Sequence, residues 1–169
     1  MRTSGEKQMP ILTVYLAGPY NNCNKRQQTE WRKQIKKELG TSGYKWIDPA
    51  DHTTDWTPLK EMVDIERSDL VIANLWRESI GTVVGIVQAT RSGKPVILID
   101  PNYIGSAVLE DLVGAGNIVH TIPAAVRKLE KEVASQVEMS RLERGVLSIV
   151  RETHQLLSFG LDLLIFAQR

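Results

Sequence analysis

SDLVIANLWRESIGTVVGIVQATRSGKPVILID, residues 68–100, reads as two strands joined by a helix. Leu70–Leu75 and Pro95–Ile99 are short apolar runs, rich in β-branched residues and bounded by polar or Gly/Pro punctuation, so both read as buried strands. Between them Ser79-Ile80-Gly81-Thr82 signals a helix start, and Ser92-Gly93-Lys94-Pro95 ends the helix and opens the next strand. A strand–helix–strand unit of this kind is right-handed and parallel, and its ligand lies beyond the carboxyl ends of the strands. Here that is Trp76 to Thr82, where a small hydroxyl residue and unpaired backbone N–H groups favour an anion.

Upstream, Ile11–Ala17 reads as the first strand, ending at Gly18-Pro19 and followed by the polar loop Tyr20–Lys25. Trp31, Ile35 and Leu39 recur every four residues and mark an amphipathic helix over Gln27–Leu39, with that stripe on the sheet. Tyr44–Asp48 is a second strand, with the loop Pro49–His52 at its carboxyl end. A helix over Pro58–Arg67 turns Met62, Ile65 and Leu59 inward and carries Asp64 near the mouth of the cleft. Downstream come a modest helix over Tyr103–Leu112 and a fifth strand at Asn117–His120. This alternation predicts an α/β fold: a doubly wound, flavodoxin-like (Rossmann-like) parallel sheet of order 2-1-3-4-5. The switch point falls between strands one and three, so Tyr15, Gly18, Pro19, Tyr20, Asn21 and Asn22 face Trp76–Thr82.

Composition sets outer bounds. The chain has 169 residues, 42% hydrophobic and 24% charged, enough for one domain with a sizeable core. With 21 basic and 20 acidic residues the formal charge is +1, so bulk electrostatics advertises neither a nucleic-acid nor a membrane surface. A lone cysteine, Cys23, excludes an internal disulfide framework, and the histidines lack metal-ligand spacing, so no metal is expected. Residues 1–10 read as a flexible polar N-terminus without the apolar core of a secretory signal, and no stretch reaches the ~20 apolar residues of a membrane span. A cytoplasmic protein is expected.

The domain is expected over 11–122. Residues 123–169 read as a long helical extension, with a stripe at Val126, Leu129, Val133 and Val137 and a second apolar segment from Val146 to Phe166. So much apolar surface outside a compact domain points to a homo-oligomer.

Taken in order, Tyr15-Leu16-Ala17-Gly18-Pro19, Asp64, Ser68–Ala73, Ser79-x-Gly81-Thr82 and Gly93-Lys94-Pro95-Val96 resemble the nucleoside 2-deoxyribosyltransferase family. Close relatives in that family hydrolyse the N-glycosidic bond of nucleoside 5′-monophosphates. The resemblance covers roughly residues 11 to 120. It implies a nucleoside or nucleoside 5′-monophosphate as ligand, sites at subunit contacts, and no metal or organic cofactor. It casts Tyr15 as the residue that orients the nucleophile and Asp64 as the aspartate that contacts sugar or base and assists proton transfer. Ser79 matches a position that is serine in the monophosphate hydrolases, and Asn117 resembles an asparagine that reaches a neighbouring subunit's site. At the position of the family's attacking glutamate this chain has Gly85.

A retaining route through an oxocarbenium-like state needs a carboxylate to form the covalent intermediate, and glycine offers none. The residues therefore point to a nucleotide-binding protein with impaired chemistry. Two alternatives stand beside it: an active N-glycosidase or deoxyribosyltransferase working through a relocated carboxylate, Asp64 or Glu78, and an assembly module driven by the tail. Each site residue also has a plainer role: Ser79 as a helix cap, Tyr15 as core, Asp64 as a solvated helix residue, and Gly18-Pro19 as the turn after a strand.

Overall fold

The structure is a computed structural model that describes residues 11–40, 43–51, 57–105, 107–135 and 142. The chain divides between Leu129 and Glu130 into two units. The first holds β1 (Leu12–Ala17), α1 (Lys25–Leu39), β2 (Tyr44–Ile47), α2 (Pro58–Arg67), β3 (Leu70–Asn74), α3 (Ile80–Arg91), β4 (Val96–Ile99), α4 (Ala107–Val113) and β5 (Ile118–Val119). Short 3-10 turns occupy Pro49–Asp51 and Ala115–Asn117. A further helical run over residues 122–135 crosses the boundary; Ala125, Val126 and Leu129 are buried in it, and Val133 is half-buried. Val137, the segment Val146–Phe166 and residues 1–10 lie outside the described residues.

All strand pairings are parallel and the order is β2-β1-β3-β4-β5, as the alternation of elements predicts. β3 lies at the centre of the sheet and every one of its residues is buried, which is why it reads as an unbroken apolar run rather than an alternating one. Tyr15 pairs with Val71 and Ala17 with Ala73, so the carboxyl ends of β1 and β3 finish side by side. The strand order reverses between them, and the two loops that follow diverge to opposite faces.

Local chemistry sets the helix ends. α1 starts two residues before its apolar periodicity, because Asn24 and Gln27 form a reciprocal capping box with both hydrogen bonds at 2.9 Å. Thr57 caps α2 and Pro58 fills its first position. Ser79 caps α3, and Gly93 takes the positive φ of 68° just past its end.

Two details depart from the sequence reading. Leu59 and Met62 are 72% and 40% exposed, whereas Ile65 is fully buried. α2 packs on β1 and α3 through the row that holds Glu61 and Ile65, and the other two apolar residues fall outside it. On α1, Trp31 and Ile35 are buried as expected, but Arg32 beside them is 1% exposed.

Arg32 is held by an ion pair: its Nε lies 3.1 Å from Asp48 Oδ1 at the end of β2. Lys36 Nζ donates to Asp48 Oδ2 at 2.6 Å and to Asp51 Oδ2 at 2.8 Å, tying α1 to the loop after β2. Burial alone lowers the Arg32 pKa, and the Asp48 charge is the largest opposing influence. Asp48→Ala would leave a buried guanidinium without its counter-ion and is expected to destabilise the fold by ~3–5 kcal/mol in urea unfolding. A loss below ~1 kcal/mol would show that Arg32 finds another partner.

Candidate functional site

The ends of β1 and β3 open into a cleft of about 300 Å3. One wall is Tyr15, Gly18, Tyr20, Asn21 and Asn22, from β1 and the loop after it. The other is Arg77 to Thr82, from the β3–α3 loop and the first turn of α3. Arg32, Pro49 and Glu61 complete the lining. Of the residues picked from the sequence, the cleft thus brings together Tyr15, Gly18, Tyr20, Glu78, Ser79, Gly81 and Thr82. The rest lie elsewhere: Pro19 is buried behind the loop, Asp64 is half-buried on α2 without lining the cleft, and Gly85 is buried inside α3. Asn117 stands before β5 and donates to Val113 O at 2.6 Å.

Gly18 is required by packing, since a Cβ there would sit 2.5 Å from Trp31 Cζ2. Its carbonyl accepts from Arg32 Nη2 at 3.4 Å, so the buried ion pair also supports the β1–α1 loop. Arg77 Nη1 donates to Asn22 O at 3.1 Å and joins the two walls at the mouth. Ser79 Oγ accepts from Thr82 N at 3.3 Å and from Thr82 Oγ1 at 2.9 Å. The plainer cap role is therefore real. Because α3 begins its ladder with Val83 N to Ser79 O, the N–H groups of Ile80 and Gly81 precede any intrahelical carbonyl.

On the floor, Tyr15 is fully buried, with its hydroxyl beside the Glu61 carboxyl. Burial raises its pKa far above the ordinary phenol range, and the nearby Glu61 carboxylate raises it further. Burial likewise raises the Glu61 carboxyl, opposed by the Tyr15 hydroxyl and the Arg32 charge. Glu61 Oε1 lies 3.4 Å from the position a Cβ would take at Gly85, and Ile65 Cδ1 lies 3.6 Å from it. Glu61 and Arg32 are not among the residues the sequence singles out, whereas Arg77 lies within the Trp76–Thr82 stretch expected at the cleft. For Glu61 a signal existed: it stands four residues before the buried Ile65, a polar residue on the inward row of its helix. Among the described residues no group of three or more His, Cys, Asp or Glu side chains could hold a metal ion, and no helix is long and apolar enough to cross a membrane.

No protein-family profile matches the chain, and no curated protein sequence matches it. Solved structures do. A conserved protein from Enterococcus faecalis V583 superposes with a TM-score of 0.60 at 16% identity, covering 72% of this chain and 99% of its own. The CMP N-glycosidase BcmB of Clostridium botulinum gives 0.52 at 22% identity, covering 71% and 98%. A 2-deoxyribosyltransferase from Bacillus psychrosaccharolyticus gives 0.52 at 19% identity, covering 68% and 90%. The chain has a nucleoside 2-deoxyribosyltransferase-like fold. The likeness extends over nearly the full length of each neighbour and agrees with the resemblance carried by the sequence motifs.

The setting of Glu61 gives a pH test. Its folded pKa is raised above the ordinary glutamate value of about 4.5, so the native state holds this proton more tightly than the unfolded chain. The corresponding stability is fully present below that ordinary value and is lost as pH rises through the raised one. Glu61→Gln keeps the neutral form at all pH values. Its melting temperature relative to the native protein is therefore expected to climb as pH rises from about 4.5 through the raised Glu61 value. A constant or falling difference would place Glu61 in a solvated setting.

Proposed function

We propose that the switch-point cleft binds a nucleoside 5′-monophosphate, with the phosphate at the start of α3 and the pentose over Tyr15. The observation that carries this is the opening of the Ser79-capped helix start into the same cleft as the buried Tyr15 side chain. Ser79 Oγ is used twice as an acceptor, which leaves its own proton to donate to a phosphate oxygen. The N–H groups of Ile80 and Gly81, the positive end of the helix and the Arg77 guanidinium suit a dianion at the same place. Tyr20, Asn21 and Asn22 offer an aromatic face and amide groups on the opposite wall, where a base fits. The activities named for two fold neighbours, a CMP N-glycosidase and a 2-deoxyribosyltransferase, support this class of ligand.

Gly85 provides no carboxylate, which favours binding without the chemistry expected at that position. A second reading, an N-glycosidase working through another acid, is favoured by one observation. Glu61, rather than Asp64, lines the cleft beside Tyr15.

Ser79→Ala removes a hydroxyl donor to a charged group and should weaken monophosphate binding by ~1.5–3 kcal/mol, roughly tenfold or more, in calorimetry. Binding of the matching unphosphorylated nucleoside should change little. Equal affinity of the native protein for nucleoside and monophosphate would refute the phosphate assignment.

A further inference from the structure

α3 carries two apolar stripes, and the sheet takes up one of them. Gly85, Ile86 and Ala89 are buried, and the last two join the core cluster of β1, β3 and β4. Ile80, Val83, Val84 and Val87 follow the i, i+3, i+4, i+7 spacing of a second stripe, on which Ile80 is 85% and Val84 55% exposed. Val108, Leu109 and Leu112 of α4 join this stripe in lining a groove of about 370 Å3, and Val108 is itself 65% exposed. Apolar side chains clustered at the surface in this way mark a binding site, whereas single ones do not.

What the groove takes follows from where it begins. Glu78, Ser79 and Ile80 line it and also line the switch-point cleft, so the two spaces meet along the first turn of α3. Glu78 and Ser79 are its polar lining residues, and among the described residues the rest of the lining is aliphatic. Polar groups at one end and an apolar body are what an amphiphilic ligand requires. The shared turn is also where the phosphate is assigned, so the nucleotide atom nearest the groove is a phosphate oxygen.

We propose that the ligand is a nucleoside 5′-phosphate whose phosphate carries an aliphatic chain, with the nucleotide in the cleft and the chain in the groove between α3 and α4. The proposal rests on the ligand assignment above and adds to it the group esterified to the phosphate. The ester leaves one negative charge for Ser79 and the N–H groups of Ile80 and Gly81, and it removes the second from the turn where the acidic Glu78 stands. The chain then runs along Ile80, Val84 and Val87 and takes their apolar surface out of water.

The test is calorimetry on the full chain with the common ribonucleoside 5′-monophosphates, unesterified and as their methyl, butyl and octyl phosphate esters. The methyl ester has the charge of the longer esters and serves as the reference. Each methylene that leaves water raises affinity by roughly threefold, so the octyl ester is expected to bind at least ~10-fold more tightly than the methyl ester, with the butyl ester between them. Val84→Glu and Val108→Glu each place an acid in the groove at a position that does not line the cleft, and each is expected to bring the octyl-to-methyl ratio to within ~3-fold of unity. The chain-length series on the native protein makes the test independent of whether either variant folds. Affinity that does not change with chain length overturns the proposal, as does a ratio unaltered in both variants. Self-association of the native protein that both variants abolish, read by sedimentation, together with no chain-length effect, assigns the groove to a second copy of the chain and overturns it as well. Unesterified monophosphates that bind without any gain from the chain leave the cleft assignment standing, whereas failure of every monophosphate and ester to bind removes both.

Discussion

The reversal of strand order between β1 and β3 is the constraint on which the site depends. It sets the carboxyl ends of the two strands side by side, and the loops that follow them form the walls of one cleft. α2 packs on β1 and α3; on it Ile65 is fully buried and Glu61, one turn earlier on the same row, lines that cleft with the buried Tyr15.

Charge in this molecule is local rather than global. The formal net charge is only +1, yet two guanidinium groups are drawn to one cleft. Arg32 is balanced from behind by Asp48 and steadies the β1–α1 loop through the Gly18 carbonyl. Arg77 crosses the mouth to Asn22 and lies next to the start of α3, where an incoming anion would meet it. Between them burial raises the pKa of both Tyr15 and Glu61. A ligand with an anionic end and an uncharged body fits that division: charge at the helix start, and a sugar over Tyr15 and Glu61.

How much of this was legible in the sequence depended on how many residues shared each signal. β3 and β4 are continuous apolar runs, and α3 between them has a hydroxyl cap and a glycine end, so many residues agreed on the fold and the order of strands followed. Ser79, Gly81, Thr82, Tyr15 and Gly18 were found because they lie at strand ends, where topology alone brings them together. Glu61 and Arg32 were not, because each is a single charged residue on an otherwise apolar helix row, and a helix can be rotated by a fraction of a turn without changing its pattern. On α2 the spacing predicts Met62, Ile65 and Leu59 inward; Ile65 is buried as expected, whereas Leu59 and Met62 are exposed and Glu61 shares the inward row. Asp64 is half-buried on the same helix and does not line the cleft.

A crystal structure of the full chain with a bound, uncleaved nucleoside 5′-monophosphate decides whether the switch-point cleft holds this ligand by its phosphate. Phosphate oxygens are expected within hydrogen-bond distance of Ser79 Oγ and the N–H groups of Ile80 and Gly81, with the pentose over Tyr15. A nucleotide bound outside this cleft, or in it with the phosphate turned away from Ser79 and toward Arg32, would overturn that assignment.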